Sequence, residues 1–201
     1  MVDNSAPRIG PYGAILDIAK TLVAGDSLDV TLRLIVENVG RAMFAESASL
    51  GSYRPEQNVY VYEAGWREAG QTPEDKADVG RVYPLAENPD LRRQLESREI
   101  VECRIDDPGL SDTDREYLTR WGLKTSLDCP LVYGGKVIGL LGIEESRFVR
   151  RFTPTERGLF AQLCDLAAVG VHAARQARLL EETQQELSRL RLGQSATGTP
   201  Q

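Results

Sequence analysis

The sequence holds one histidine, His172, in 201 residues, and three cysteines, Cys103, Cys129 and Cys164. The cysteines form no CxxC pair, so zinc is not expected and no metal ligand is assigned. An odd number of widely spaced thiols is not a disulfide framework either; it suits a reducing cytoplasm. Long hydrophobic runs are also missing. The longest, Leu166 to Val171, falls far short of a bilayer span, and no charged-then-apolar leader opens the chain. Positive charge is the minority sign, with 24 Lys and Arg against 30 Asp and Glu and a net charge of −6. That balance leaves no footprint for non-specific nucleic-acid binding. Neither nucleic acid nor membrane is therefore an expected partner. The motifs HExxH and GxSxG and the Walker phosphate loop are absent. What is present is an ordinary globular composition, 41% hydrophobic and 27% charged, in a chain long enough to bury a core without staples.

The apolar pattern changes period along the chain. Residues 1–10 are polar and expected to be flexible. Pro11 can open a helix bearing Ile15, Ala19 and Leu22. Asp26 or Ser27 can cap a second helix, in which Leu28, Leu32, Ile35, Val36, Val39 and Met43 form one stripe. The period then falls to two. Ala48 to Tyr53 and Asn58 to Trp66 read as strands about the turn Arg54-Pro55-Glu56-Gln57, followed by a polar loop over 67–80. Arg81 to Pro84 reads as a short strand. Asn88-Pro89, a cap and a first-turn proline, opens a short helix to Ser97, and Ile100 to Ile105 reads as extended. Thr113 to Glu116 reads as a capping box for a helix that Gly122 closes. Next comes a hairpin, with Gly134-Gly135 as its two-residue turn.

The last element is the longest. Thr153-Pro154-Thr155-Glu156 combines a capping box with a proline start, and beyond Gly158 in the opening turns Gly170 is the one breaker before Gly193. Leu159, Leu163, Leu166, Gly170, Ala173, Ala177, Leu180, Gln184 and Leu187 recur at spacings of four and three, a heptad seam. A second stripe, Phe160, Cys164, Ala167, Val171 and Ala174, stops near residue 174. The front of this helix should pack on its own domain and on a partner, and the back on a partner alone. The predicted dimer interface is Leu166, Gly170, Ala173, Ala177, Leu180 and Leu187. The tail over 193–201 has a disordered composition. The order of elements indicates an α+β fold, an antiparallel sheet with helices grouped on one face.

Two stretches carry a family resemblance. They are "KTSLDCPLVYGGKVIGLLGIEES" and "RFTPTERGLFAQLCDLAAVGVHAARQARLLEE". Ser126, Pro130, Leu131, Gly135, Val137, Ile138, Gly139 and Leu140 stand where GAF domains carry their Ser, Pro-Leu, Gly turn and Val-Ile-Gly run. Phe152, Glu156 and Leu159 match the phenylalanine, acidic helix start and leucine-rich helix of the same domains. "DPGLSDTDREYLTRWGLKTSL" is also similar to bacterial GAF sequences. The chain therefore resembles the GAF domain family of signalling sensor modules, over about residues 28–180. The resemblance implies a sensor domain over 11–180, including the N-terminal helix, and a helical extension over 181–192. It also implies small-molecule binding on the sheet face opposite the terminal helices, homodimerisation, and relay to an effector domain or protein. It names no cofactor.

Within 126–132, Leu127, Cys129 and Leu131 point one way, and Ser126, Asp128 and Pro130 the other. With the leucine face under the long helix, Asp128 faces the pocket. Tyr62, Trp66, Tyr83, Cys103, Tyr117 and Trp121 lie on segments able to wall it, and with Ser126 and Asp128 they form the predicted ligand site. The structural alternative for Asp128 is an ion pair with Arg104 or Lys124. Cys103 is followed by Arg104, whereas bilin-attaching GAF domains usually carry Cys-His. Phe152 and Glu156 match part of the cyclic-nucleotide pattern, but its Asn-Lys is absent and Arg157 replaces its second acid. No catalytic residue is assigned, and the chain reads as a non-enzyme. The competing readings are a thiol enzyme of the free methionine-(R)-sulfoxide reductase type, using Cys103 and Cys129, and a ligand-free dimerisation module.

Overall fold

A computed structural model describes residues 13, 16–17, 19–20, 26–71, 76 and 78–196, with side chains in the last helix as far as Arg191. The start over 1–10 that the sequence predicts to be flexible, Pro11, Ile15 and Leu22 of the first predicted helix, and the tail beyond residue 196 lie outside the described residues. The elements run α1 (Leu28–Ala42), β1 (Ser47–Arg54), β2 (Val59–Arg67), β3 (Val82–Pro84), α2 (Pro89–Ser97), β4 (Val101–Arg104), α3 (Asp112–Arg120), β5 (Thr125–Tyr133), β6 (Lys136–Glu145) and α4 (Pro154–Ala196). The strands form one antiparallel sheet in the order β3-β2-β1-β6-β5-β4.

The stripe of α1 does what its spacing requires. Leu32, Ile35, Val36, Val39 and Met43 are buried, and they meet Leu127, Leu131, Leu141 and Ile143 of the sheet in one core. Helix α4 closes the same side with Phe160, Leu163, Cys164, Ala167, Ala168 and Val171. Both terminal helices thus cover one face, and the alternation in β5 sends Leu127, Cys129 and Leu131 to them. Two smaller clusters lie apart from this core. One is Tyr60, Leu85, Leu95 and Leu140; the other is Cys103, Leu118 and Leu123. They fix α2 and α3 to the opposite face. Among the described residues no helix is long and apolar enough to cross a membrane.

Several caps differ in detail from expectation. Ser27 is the N-cap of α1 but makes no side-chain capping bond. Asn88 does not cap α2 through its side chain either; its Nδ2 donates to the Pro84 carbonyl. Helix α3 is capped two residues before Thr113, because the Ser111 hydroxyl accepts from the Asp114 N–H at 3.1 Å. Its far end matches the sequence reading. Gly122 takes φ +64°, and the Leu123 N–H donates back to the Leu118 carbonyl at 2.7 Å. The Thr153 box is complete: Glu156 accepts from the Thr153 N–H at 2.8 Å, and Thr153 Oγ1 accepts from the Glu156 N–H at 3.2 Å. Gly134 and Gly135 both have positive φ in the hairpin turn. Gly193 does not end α4, which continues to Ala196.

Candidate cavity on the open face of the sheet

Between the sheet face free of terminal helices, with β3 at its edge, and the cover made by α2 and α3 lies a cavity of about 530 Å³. Its floor follows from strand register. Ser126 pairs with Glu144 and Asp128 with Gly142, while Glu144 pairs with Ser47 and Gly142 with Ser49. Alternation puts these side chains on the face away from α1 and α4. Ser49 Oγ donates to Glu144 Oε1 at 2.5 Å, and Ser126 Oγ donates to Asp128 Oδ2 at 2.9 Å. Gly142 matters because a Cβ there would meet Asp128 Oδ1 at 2.5 Å and Glu144 Oε1 at 3.2 Å. The two carboxyls converge over that glycine.

Neither carboxyl has an ion-pair partner among the described residues. The predicted alternatives for Asp128 are engaged elsewhere. Arg104 pairs with Glu102 at 2.9 Å, and Lys124 donates to the Arg147 carbonyl. Burial first, and Glu144 second, push the Asp128 pKa up to about 7. Burial also raises that of Glu144, against the pull of Ser49, Ser47 and, more weakly, Arg67. Tyr60 titrates well above its ordinary value, through burial and then Asp128. Tyr117 is 44% exposed as a residue. Its hydroxyl nonetheless reaches toward the acids: burial, then Glu144 and Asp128, all raise its pKa. From α2, the Gln94 side chain faces Asp128 and eases its charge. The Gln94 amide nitrogen is buried and still makes no hydrogen bond of acceptable geometry.

All eight predicted ligand-site residues border the cavity: Tyr62, Trp66, Tyr83, Cys103, Tyr117, Trp121, Ser126 and Asp128. Trp66, although it borders the cavity, does not present its ring to it. Gly51 pairs with Tyr62 and Leu50 with Ala64, so Glu63 is the extra residue of a bulge. The bulge reverses the phase of β2. Tyr62 stays on the cavity face, whereas the Trp66 ring crosses to the helical face. There it lies against Gly40 and beneath the Arg41 guanidinium, 5.8 Å from its centroid. The sequence reading missed Glu144, Gln94, Tyr60 and Gly142. Glu144 stands two residues beyond Gly142, which pairs with Asp128, and that register is supplied by the fold.

The family model for the GAF domain matches residues 27–171. The chain belongs to the GAF domain family. Solved GAF structures agree with this fold. The phycoerythrobilin-bound GAF domain from a cyanobacterial phytochrome superposes with a TM-score of 0.68 at 16% identity, over 83% of this chain and 96% of that one. The GAF domain of a phosphoenolpyruvate-protein phosphotransferase from Coxiella burnetii gives 0.66 at 20% identity, over 85% and 98%. The photosensory core module of the Stigmatella aurantiaca phytochrome gives 0.69 at 18% identity, over 89% of this chain and 39% of that one. A comparison with curated proteins finds no match.

The thiols of this GAF domain occupy different faces. Cys103 borders the cavity, whereas Cys129 is in the core with Cys164. Burial, then Asp128 and Asp114, push the Cys103 pKa to about 12, which disfavours the nucleophilic thiolate. Glu156 does not border the cavity; it completes the Thr153 box and pairs with Arg150 at 2.8 Å. His172 stacks on Tyr133, with ring centroids 3.8 Å apart. On α4, Gly170 is buried within its own chain and Leu166 is half-buried. Ala173 and Ala177 are exposed, and Leu180 and Leu187 are 59% and 49% exposed. Gly170 thus turns inward, and Val169 (46% exposed) takes the outward position at that turn.

Proposed function

We propose that this GAF domain is a non-enzymatic sensor that binds a small organic molecule between the sheet and the α2–α3 cover. In this reading it dimerises along α4 and relays occupancy to an effector through that helix. The observation that carries the reading is the placement of Asp128. It sits on the floor of a cavity of about 530 Å³, on the sheet face opposite the helices. That volume falls in the range of ligand sites, and the lining combines aromatic walls with a few polar groups. Two of the similar structures are a phycoerythrobilin-bound GAF domain and a photosensory core module. Covalent bilin attachment is not favoured here, because the thiol at the cavity, Cys103, is buried and held protonated.

A route to the helix is available. Arg175 donates to the Ile138 carbonyl at 2.9 Å and to Glu63 Oε2 at 2.7 Å. Glu63 is the bulge residue next to Tyr62 of the cavity wall. A ligand that moves Tyr62 therefore acts on the last contact that, among the described residues, holds α4 to the sheet. Signalling requires unequal binding to two helix arrangements. The thiol-enzyme reading is disfavoured by the opposite facing of Cys103 and Cys129, which leaves the two sulfurs on different sides of the sheet. Native mass spectrometry of the chain purified from its own host is the test. A retained small molecule on a dimer is expected. An empty monomer, together with methionine sulfoxide reductase activity lost on replacing Cys103 and Cys129, would reverse the assignment.

A further inference from the structure

The floor of the cavity has an imbalance that the chain itself does not resolve. Asp128 and Glu144 converge over Gly142 from adjacent strands. Glu144 is only 6% exposed, and among the described residues neither carboxyl is ion-paired. The arginines bordering the cavity are committed to other acids. Arg67 pairs with Glu46 at 3.7 Å, Arg81 with Asp78 at 2.9 Å and Arg120 with Glu116 at 3.0 Å. Above the acids, the Gln94 side chain faces Asp128 and eases its charge, although its buried amide nitrogen makes no hydrogen bond of acceptable geometry. As placed, that N–H would be met by an acceptor atom, so it does not itself select a cation. Turned over, the same amide offers its oxygen as an acceptor toward the floor.

We infer that the ligand presents a cationic nitrogen group, an amidinium, guanidinium or ammonium, to Asp128 and Glu144 beneath Gln94, with its flat part among Tyr83, Tyr117 and Trp121. This inference rests on the sensor reading above and specifies the ligand class of that cavity. The physical reasons are three. Paired carboxylates match the N–H edge of an amidinium or guanidinium. A cation relieves two like charges buried side by side. Aromatic faces add attraction to a cation that has left water.

Proton balance gives an independent check. The groups facing Asp128 are Glu144 from β6, Cys103 from β4, Tyr60 from β2, Gln94 from α2, and Asp114 and Tyr117 from α3. With burial and like charge raising its pKa, Asp128 is partly protonated near neutral pH. An arriving cation must expel that proton, whereas a neutral acceptor ligand would retain it.

The experiment uses p-aminobenzamidine as probe, with 4-aminobenzoate and 4-aminobenzamide as shape-matched anionic and neutral controls. Binding is followed by fluorescence and by calorimetry in two buffers of different ionisation enthalpy at pH 7. The amidine is expected to bind at least about tenfold tighter than either control. It should release protons on binding, and it should lose about tenfold or more in the Asp128→Asn and Glu144→Gln variants. Proton release is read on the unaltered chain, so a variant that fails to fold leaves the test intact. Equal or tighter binding of the benzoate or benzamide, or proton uptake with the amidine, overturns the cation assignment while the sensor reading stands. Failure of all three probes to bind counts against both.

Discussion

At the scale of single residues, Asp128 governs the chemistry and also carries a stability cost. Its folded pKa, about 7, lies above the ordinary carboxylate value because burial and then Glu144 disfavour its charge. The folded state therefore holds a proton between about pH 4 and pH 7 that the unfolded chain has released. Stability contributed by this group is present at the acidic end of that window and is lost as pH rises through 7. Asp128→Asn keeps an acceptor for Ser126 and cannot ionise. It should stabilise the protein at pH 8 by on the order of 1–3 kcal/mol, and by little at pH 4. Glu145 and Glu156, whose pKa values are lowered by Arg147 and Arg150 against the opposing effect of burial, act in the opposite sense. The readout is therefore the difference between wild type and variant in urea unfolding across pH 4–8. A difference that does not change with pH would show that Asp128 is not held protonated. The direction of the Asp128 side chain was legible from alternation alone, because Leu127, Cys129 and Leu131 left it nowhere else to point. Its partner Glu144 was not, because Glu144-Glu145-Ser146 resembles the polar exit of a strand.

At the scale of elements, most spans were legible, since the period switches cleanly between three-to-four and two. What escaped was the irregularity inside β2. Tyr62, Ala64 and Trp66 alternate without interruption in the sequence, and nothing in those residues announces that Glu63 is unpaired. The cue lay across the ladder in Gly51. A Cβ there would collide with the Val61 carbonyl and with the Tyr60 ring. Only a glycine lets the bulged strand and the tyrosine approach so closely. Gly51→Ala should destabilise the fold by about 1–3 kcal/mol and disturb the Tyr60 wall. Gly158, exposed on α4 with open space where a Cβ would stand, is the control. Gly158→Ala should stabilise by roughly 0.5–1 kcal/mol, because alanine restricts the unfolded chain and favours helix. Chemical denaturation midpoints separate the two. A neutral Gly51→Ala would mean that the strand tolerates a side chain at the bulge. The cap of α3 was ambiguous for a related reason: both Ser111 and Thr113 precede acids at capping distance, and only the fold shows which hydroxyl accepts.

At the scale of the molecule, the decisive asymmetry is along α4. Up to Arg175 the helix is held by the core and by the bonds to Glu63 and Ile138. Residues 176–191 are all exposed, and they include Leu179, Leu180, Leu187 and Leu190 at 49–59% exposure. Ion pairs such as Arg178–Glu182 at 2.8 Å contribute only a few tenths of a kcal/mol each on such a surface. A helix of this length with no tertiary contact among the described residues is marginal in water. In the proposed dimer a second copy covers these leucines and supplies the missing stability. Hydrogen exchange of amides 176–191 should then slow as protein concentration rises, in step with dimer formed by sedimentation. Exchange in β5 and β6 should not change. Leu180→Asp combined with Leu187→Asp, or Ala173→Asp alone, should yield a monomer whose 176–191 segment exchanges at nearly unprotected rates while the sheet keeps its protection. Ala173 tests the seam where it leaves the domain; the leucine pair tests it beyond the last intramolecular contact. Concentration-independent protection in a chain that sediments as a monomer at micromolar concentration would mean that α4 is stable alone, and helix pairing would then have no part in the relay.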